Sequence, residues 1–272
     1  TQSCVRIPLF LGVDEEGGSV ARVSSNPDMG VSPIASMAEF GAQGDAAALY
    51  SAVSGLAAGI KALGFNLDFA PVADVASGKS AVIGERSFGS DAALCASMSS
   101  IASGALADNG VISCLKHFPG YGGNADTHTG TATDTRDYKT FEERDFLPFK
   151  AGIEAGADVV MVSHNTVLCM DKDHPASLSP EVHRILREEL EFDGIITTDD
   201  LSMDAITKIC GAGEAGVMAV EAGNDLVCCS DLKVNYDAIL AAVKSGRLSE
   251  ERINESVRRI LKFKLDKGII QQ

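Results

Sequence analysis

The sequence predicts an α/β fold of the (β/α)8 TIM-barrel type, and three observations carry that expectation. Short apolar runs alternate with helical patterns from one end of the chain to the other. The runs are continuous rather than alternating in polarity, as strands buried on both faces are. Almost every run ends in a polar residue that a packed core would exclude, which describes the C-terminal mouth of a parallel barrel. A doubly wound open sheet is the rival, but it would gather polar residues at one switch point only.

The strand candidates are residues 8–13, 65–70, 111–115, 158–162, 194–198 and 225–229. Their ends carry Asp14-Glu15-Glu16, Asp74, Lys116-His117, His164, Asp199-Asp200 and Ser230-Asp231 respectively. Helical periodicity covers 45–63, 91–109, 140–155, 180–190, 212–222 and 236–245. A last amphipathic helix, 249–267, closes at Gly268 and sets Ile253, Val257, Ile260 and Leu261 on one face. Six strands are two fewer than a closed barrel needs, so the first βα unit is expected to be missing from this chain or hidden in irregular sequence. No linker, low-complexity stretch or short repeat interrupts the pattern, and residues 1–272 read as a single domain.

Composition narrows the function. With 272 residues, 45% of them hydrophobic, the chain can bury a full core. A formal net charge of -15 argues against nucleic acid or an anionic membrane as partner, since both need a basic face. No apolar run reaches the ~20 residues of a membrane span. The seven cysteines show no C-x-x-C spacing and are expected to be buried thiols. There is no P-loop, no G-x-G-x-x-G after a strand and no histidine spacing typical of a metal site, so neither a nucleotide cofactor nor a metal is expected.

Two stretches carry chemistry. In KHFPGYGGNADTH, residues 116–128, Asp126 lies two positions before His128 in a Gly-rich loop that follows a buried strand. An Asp that accepts from one ring nitrogen fixes the tautomer and raises the basicity of the other, the layout of an acid/base histidine. A solvated loop pair would give the same spacing. In TTDDLSM, residues 197–203, an apolar strand ends in two adjacent carboxylates. Neighbouring strand residues point opposite ways, so only one of Asp199 and Asp200 can face the barrel centre while the other caps or braces; one of them is a candidate nucleophile, and capping of the following helix is the alternative. DEEGG at 14–18 has the same ambiguity between ligand binding and structure, and Arg86 either clamps a ligand or pairs with Glu85.

Taken together, the motifs resemble glycoside hydrolase family 3, in its β-N-acetylhexosaminidase branch. VDEEGGSVARV, NLDFAPVADV, VIGERSFGSD, KHFPGYGGNADTH, MVSHNTV, PASLSP and FDGIITTDDLSM follow one another in the family's order. Two departures stand out: Tyr121 where the more familiar motif has a second His, and Ser19 in place of the Arg of G-G-R.

The resemblance implies a retaining exo-β-N-acetylglucosaminidase that removes terminal β-linked N-acetylglucosamine from cell-wall or related glycans. It implies Asp199 as nucleophile and His128, oriented by Asp126, as acid/base, a departure from the usual pair of carboxylates. It implies Asp14, Arg22, Arg86, Lys116, His117 and His164 as substrate-binding positions. The expected partner is an N-acetylglucosamine-containing small molecule or oligosaccharide, the expected state a monomer or weak oligomer, and the compartment stays open. A glycoside phosphorylase and a sugar-binding barrel without turnover are the alternatives.

Overall fold

A computed structural model describes residues 2–76, 82–124 and 126–270. In chain order its strands are β1 (Gly12–Val13), β2 (Glu15–Gly17), β3 (Val20–Ala21), β4 (Leu67–Asp68), β5 (Ile112–Phe118), β6 (Thr133–Asp134), β7 (Val159–Val162), β8 (Thr166–Val167) and β9 (Ile195–Thr198). Its helices are α1 (Met37–Gln43), α2 (Ala46–Ala62), α3 (Ala92–Asp108), α4 (Tyr138–Thr140), α5 (Phe146–Glu154), α6 (Pro180–Arg184), α7 (Asp204–Thr207), α8 (Ala212–Ala222), α9 (Leu232–Ser245) and α10 (Glu250–Asp266). The chain divides into two compact units. The first is Phe10–Ala125 with Arg136–Ser163, and the second is Thr1–Leu9, Asp126–Thr135 and His164–Gln272.

In the first unit β1, β4, β5 and β7 pair in that order, all parallel. The registers Gly12↔Leu67, Leu67↔Ile112 and Cys114↔Val159 keep their C-terminal ends on one side. Every residue of β5 is buried, as a central parallel strand requires. Helix α2 buries Leu49, Val53, Leu56, Ala57 and Ile60 at helical spacing, against Cys95, Met98, Ala102, Ala105 and Leu106 of α3. Both helices start where expected, because Asp45 and Asp91 each accept two backbone N–H groups of the first turn. Between β1 and α1 the chain makes the antiparallel pair β2–β3. Gly17 turns it at φ 93°, and a Cβ there would come within 2.8 Å of the Ala35 carbonyl, so no larger residue fits.

In the second unit β9 is buried throughout, and β6 pairs with β8 in parallel. The run 225–229, expected to be a strand, makes a single parallel bridge, Thr197↔Leu226. The reason is Asp225, whose buried carboxylate accepts from Arg187, Ser256, Arg259 and the Ile196 amide. That demand also shapes α10: its buried residues are Ser256, Phe263 and Lys264, while Val257 is 44% exposed. Of the expected apolar face Ile253, Ile260 and Leu261 are half-buried and Val257 departs, because Ser256 and Arg259 of this helix must reach a buried acid.

The cysteines depart from expectation as well. Cys95 and Cys114 are buried, Cys210, Cys228 and Cys229 are half-buried, and Cys4 and Cys169 are exposed. Among the described residues no helix is long and apolar enough to cross a membrane.

Candidate active site

The first unit gathers charges at its strand ends. Lys116, in β5, is buried with its Nζ 2.6 Å from Glu16 Oε1 and 2.7 Å from Asp14 Oδ1. Arg86 donates to the same Glu16 from Nε and Nη2, both at 2.8 Å, a bidentate grip rather than the surface pair with Glu85. Burial alone would raise the Glu16 carboxyl, but Lys116 and Arg86 outweigh it and hold it down at about 2. Burial likewise opposes the Lys116 ammonium, yet Glu16 and Asp14 push it above the ordinary lysine range. Glu16, Lys116 and Arg86 are therefore charged and mutually paired at neutral pH.

His117 sits beside them, held by Asp74. That carboxylate is buried and accepts from His117 Nδ1 at 2.6 Å, from the His117 amide at 3.1 Å and from the Tyr121 amide at 2.6 Å. With Nδ1–H committed to Asp74, a neutral His117 presents Nε2 as an acceptor, 3.4 Å from Arg86 Nη2. Tyr121 packs edge-on to the His117 ring at 5.7 Å, which accounts for an aromatic residue at that position of the loop. Asp14, Lys116, His117 and Arg86 are thus brought together, whereas Arg22 is exposed after β3 and makes no polar contact with them.

Two further buried acids of this unit, Glu15 and Asp68, bind backbone amides. Glu15 accepts from the Val23 and Ser24 amides and from the Ser24 hydroxyl, closing the β2–β3 turn. Asp68 accepts the Glu15 amide at 3.0 Å, and complete burial pushes its carboxyl well above the ordinary carboxylate range. Glu16 and Asp74 were the residues that sequence reasoning did not select. Their signal was present, since both end expected strands, but nothing in the spacing told an ion-pair hub from a solvated turn.

The second unit holds the remaining candidates. His128 Nδ1 lies 2.7 Å from Asp126 Oδ1, and the same oxygen accepts the His128 amide at 2.9 Å. The His128 side chain is 61% exposed. Between them Thr127 is buried, and its carbonyl accepts from Ala205 of α7 at 3.2 Å, which ties the dyad to that helix. Ala125, within the same loop, lies outside the described residues.

Asp199 follows β9 directly and is half-buried; its Oδ1 accepts the Asp200 amide at 2.8 Å. Asp200 is engaged in the turn, with Oδ1 accepting the Ser202 amide at 2.9 Å. His164 is buried, with Nδ1 2.7 Å from Ser177 Oγ and Nε2 2.9 Å from the Asp200 carbonyl. Among the described residues no group of three or more His, Cys, Asp or Glu side chains lies close enough to hold a metal ion.

The comparisons with known proteins place the chain among the glycosidases. Residues 1–263 match the model of the glycosyl hydrolase family 3 N-terminal domain. The chain belongs to that family, whose fold is of TIM-barrel-like α/β type. It is 35% identical over 255 residues to a protein named beta-hexosaminidase from Hydrogenovibrio crunogenus, covering 90% of this chain and 70% of that protein. A solved family 3 beta-N-acetylglucosaminidase from Paenibacillus sp. str. FPU-7 superposes with a TM-score of 0.93 at 38% identity, over 98% of this chain. This chain spans about half the length of that protein, 51%. A family 3 glycosyl hydrolase from Mycobacterium smegmatis gives a TM-score of 0.88 at 33% identity, covering 98% of this chain and 83% of that one.

Proposed function

We propose that this domain is a retaining exo-β-N-acetylglucosaminidase acting on terminal β-linked N-acetylglucosamine of cell-wall or related glycans. The observation that carries the reading is the 2.7 Å contact between Asp126 and His128. It commits Nδ1 and leaves Nε2 for proton exchange, and an imidazole suits both half-reactions near neutral pH. His128 first gives a proton to the leaving oxygen while Asp199 attacks the anomeric carbon, forming a glycosyl ester with inversion. His128 then takes a proton from water as it displaces Asp199, and the second inversion restores the β configuration.

Asp14, Arg86, Lys116 and His117 are assigned to the sugar. Every cation in their cluster already faces a carboxylate, so the cluster suits a neutral, hydroxyl-rich ligand better than an anion. Arg22 belongs to the same proposal as an exposed cation after β3. The closed, eight-stranded form of the barrel is part of this reading and is supported by likeness to the family 3 structures.

A phosphorylase deserves a parallel test, because a neutral histidine does not repel phosphate as a second catalytic carboxylate would. The experiment is nitrophenol release from 4-nitrophenyl β-N-acetylglucosaminide with and without phosphate, with the first-formed anomer read by NMR. Turnover without phosphate, giving β-N-acetylglucosamine, is expected. Dependence on phosphate with a sugar 1-phosphate product would replace the hydrolase by a phosphorylase. No turnover from folded protein would leave a sugar-binding barrel.

A further inference from the structure

We infer that His164 is a positioning residue for Asp199: its Nε2–H donates to the Asp200 carbonyl and thereby fixes the strand-end turn that carries the nucleophile. The inference rests on the assignment of Asp199 as nucleophile under the proposed function. It differs from the sugar-binding role that the family resemblance implies for this position.

The ring is 1% exposed and both of its nitrogens are engaged inside the protein. A carbonyl oxygen can only accept, so the 2.9 Å contact to Asp200 O requires a proton on Nε2. The Ser177 hydroxyl at 2.7 Å completes the other nitrogen. Ser177 is itself fixed, because its carbonyl accepts from Asn224 Nδ2 and the preceding Ala176 amide donates to the Asn165 carbonyl, each at 2.8 Å. The support therefore runs from the residue after His164, through the 176–178 turn, back to the ring.

On the other side of the contact, Asp200 has both peptide groups committed. Its amide donates to Asp199 Oδ1 at 2.8 Å, and its carbonyl accepts from Met203 N at 3.0 Å as well as from His164. These are two successive peptide groups joined at the Asp200 Cα, so fixing the carbonyl limits the Asp200 backbone rotations that would move the amide held by the Asp199 carboxylate. In-line attack on an anomeric carbon tolerates little displacement: an error of about 1 Å can cost about 100-fold in rate. A sugar ligand would need a ring nitrogen turned to the substrate, and His164 has both nitrogens in use.

The test compares His164→Gln, whose amide nitrogen can replace the Nε2 donor, with His164→Leu, which fills the space and donates nothing. Steady-state rates on 4-nitrophenyl β-N-acetylglucosaminide are read with the rate of labelling by a fluoro-sugar that traps the glycosyl-enzyme. His164→Leu is expected to lower kcat and the labelling rate together, by about 10- to 100-fold, with KM within about threefold. His164→Gln is expected to recover most of that loss. A raised KM with unchanged kcat would make His164 a sugar ligand and overturn the inference, as would equal rates in the Gln and Leu variants.

If the Leu variant does not fold, Ser177→Ala frees Nδ1 while leaving the Nε2 contact, and should lower kcat severalfold at constant KM. Unchanged kcat there would overturn the inference. The labelled peptide separates the two layers: a label away from Asp199 removes the nucleophile assignment itself, whereas a label on Asp199 with an unimpaired His164→Leu removes only the positioning role.

Discussion

The buried charge cluster of the first unit and the exposed dyad of the second are built on opposite principles. Around Glu16, two cations and two carboxylates are locked in contacts of 2.6–2.8 Å, with Lys116 2% exposed. At Asp126–His128, one short contact holds a ring that is mostly in solvent. Groups that only hold a ligand keep one charge state, so burying them in mutual ion pairs fixes their geometry in advance. The acid/base role proposed for His128 requires a ring that can exchange a proton, and an exposed ring held by one carboxylate contact keeps its second nitrogen accessible.

If that contrast is right, changes in the two units separate activity from stability. The largest effect is expected from Asp199→Ala, which should lower turnover at least ~1,000-fold, since no other group takes the nucleophile's place. Its thermal midpoint should stay near wild type, and a comparable loss of stability would mean that the carboxylate is structural.

His128→Ala comes next. On alkyl or sugar leaving groups it should cost roughly 100- to 10,000-fold, and far less on activated aryl leaving groups that depart without a proton. Circular dichroism melting should not distinguish it from wild type. Equal losses on both substrate types would count against His128 as the acid.

Glu16→Gln should act the other way, striking stability as well as binding. The folded carboxyl titrates at about 2 against an ordinary 4.5, a difference equivalent to about 3 kcal/mol. Because the folded value is depressed, that contribution is complete above pH 4.5 and is lost as the pH falls toward 2. Denaturation of wild type and variant should therefore differ by several degrees at pH 7 and converge only as the pH falls toward 2. A gap independent of pH would show that the hub is not held by its charge.

The smallest effect is expected on α10, where Val257→Asp should change stability by less than about 0.5 kcal/mol because the side chain faces solvent. A cost of several kcal/mol would return Val257 to the buried face that periodicity suggested.

Legibility from sequence followed the same physical division. Helices α2, α3 and α8 were readable to within about a residue at each end, because 3.6-residue spacing, and at α2 and α3 an Asp cap, are local signals. The central β5 was readable as an unbroken apolar run, though the pairing extends through Lys116, His117 and Phe118. The β2–β3 turn was not, since Glu15-Glu16-Gly17 has no strand propensity and is extended by contacts from Asp68, Val23 and Ser24.

The α10 face and the bridge at Leu226 were obscured by one buried residue, Asp225, whose partners come from three separate segments. At the candidate site, Asp14, Arg86, Lys116 and His117 were named through the family resemblance, and contacts of Lys116 and Arg86 link them. The two acids that organise them, Glu16 and Asp74, were not, because a hub is defined by what surrounds it in space.

The most direct test of the account is to trap the glycosyl-enzyme with a slowly released fluoro-sugar of N-acetylglucosamine configuration and locate the label by peptide mass spectrometry. One sugar equivalent on Asp199, within the peptide that spans β9 and the following turn, is the predicted result. A label on Asp200 or on any residue outside that turn, or turnover with no covalent sugar at any time, would contradict it.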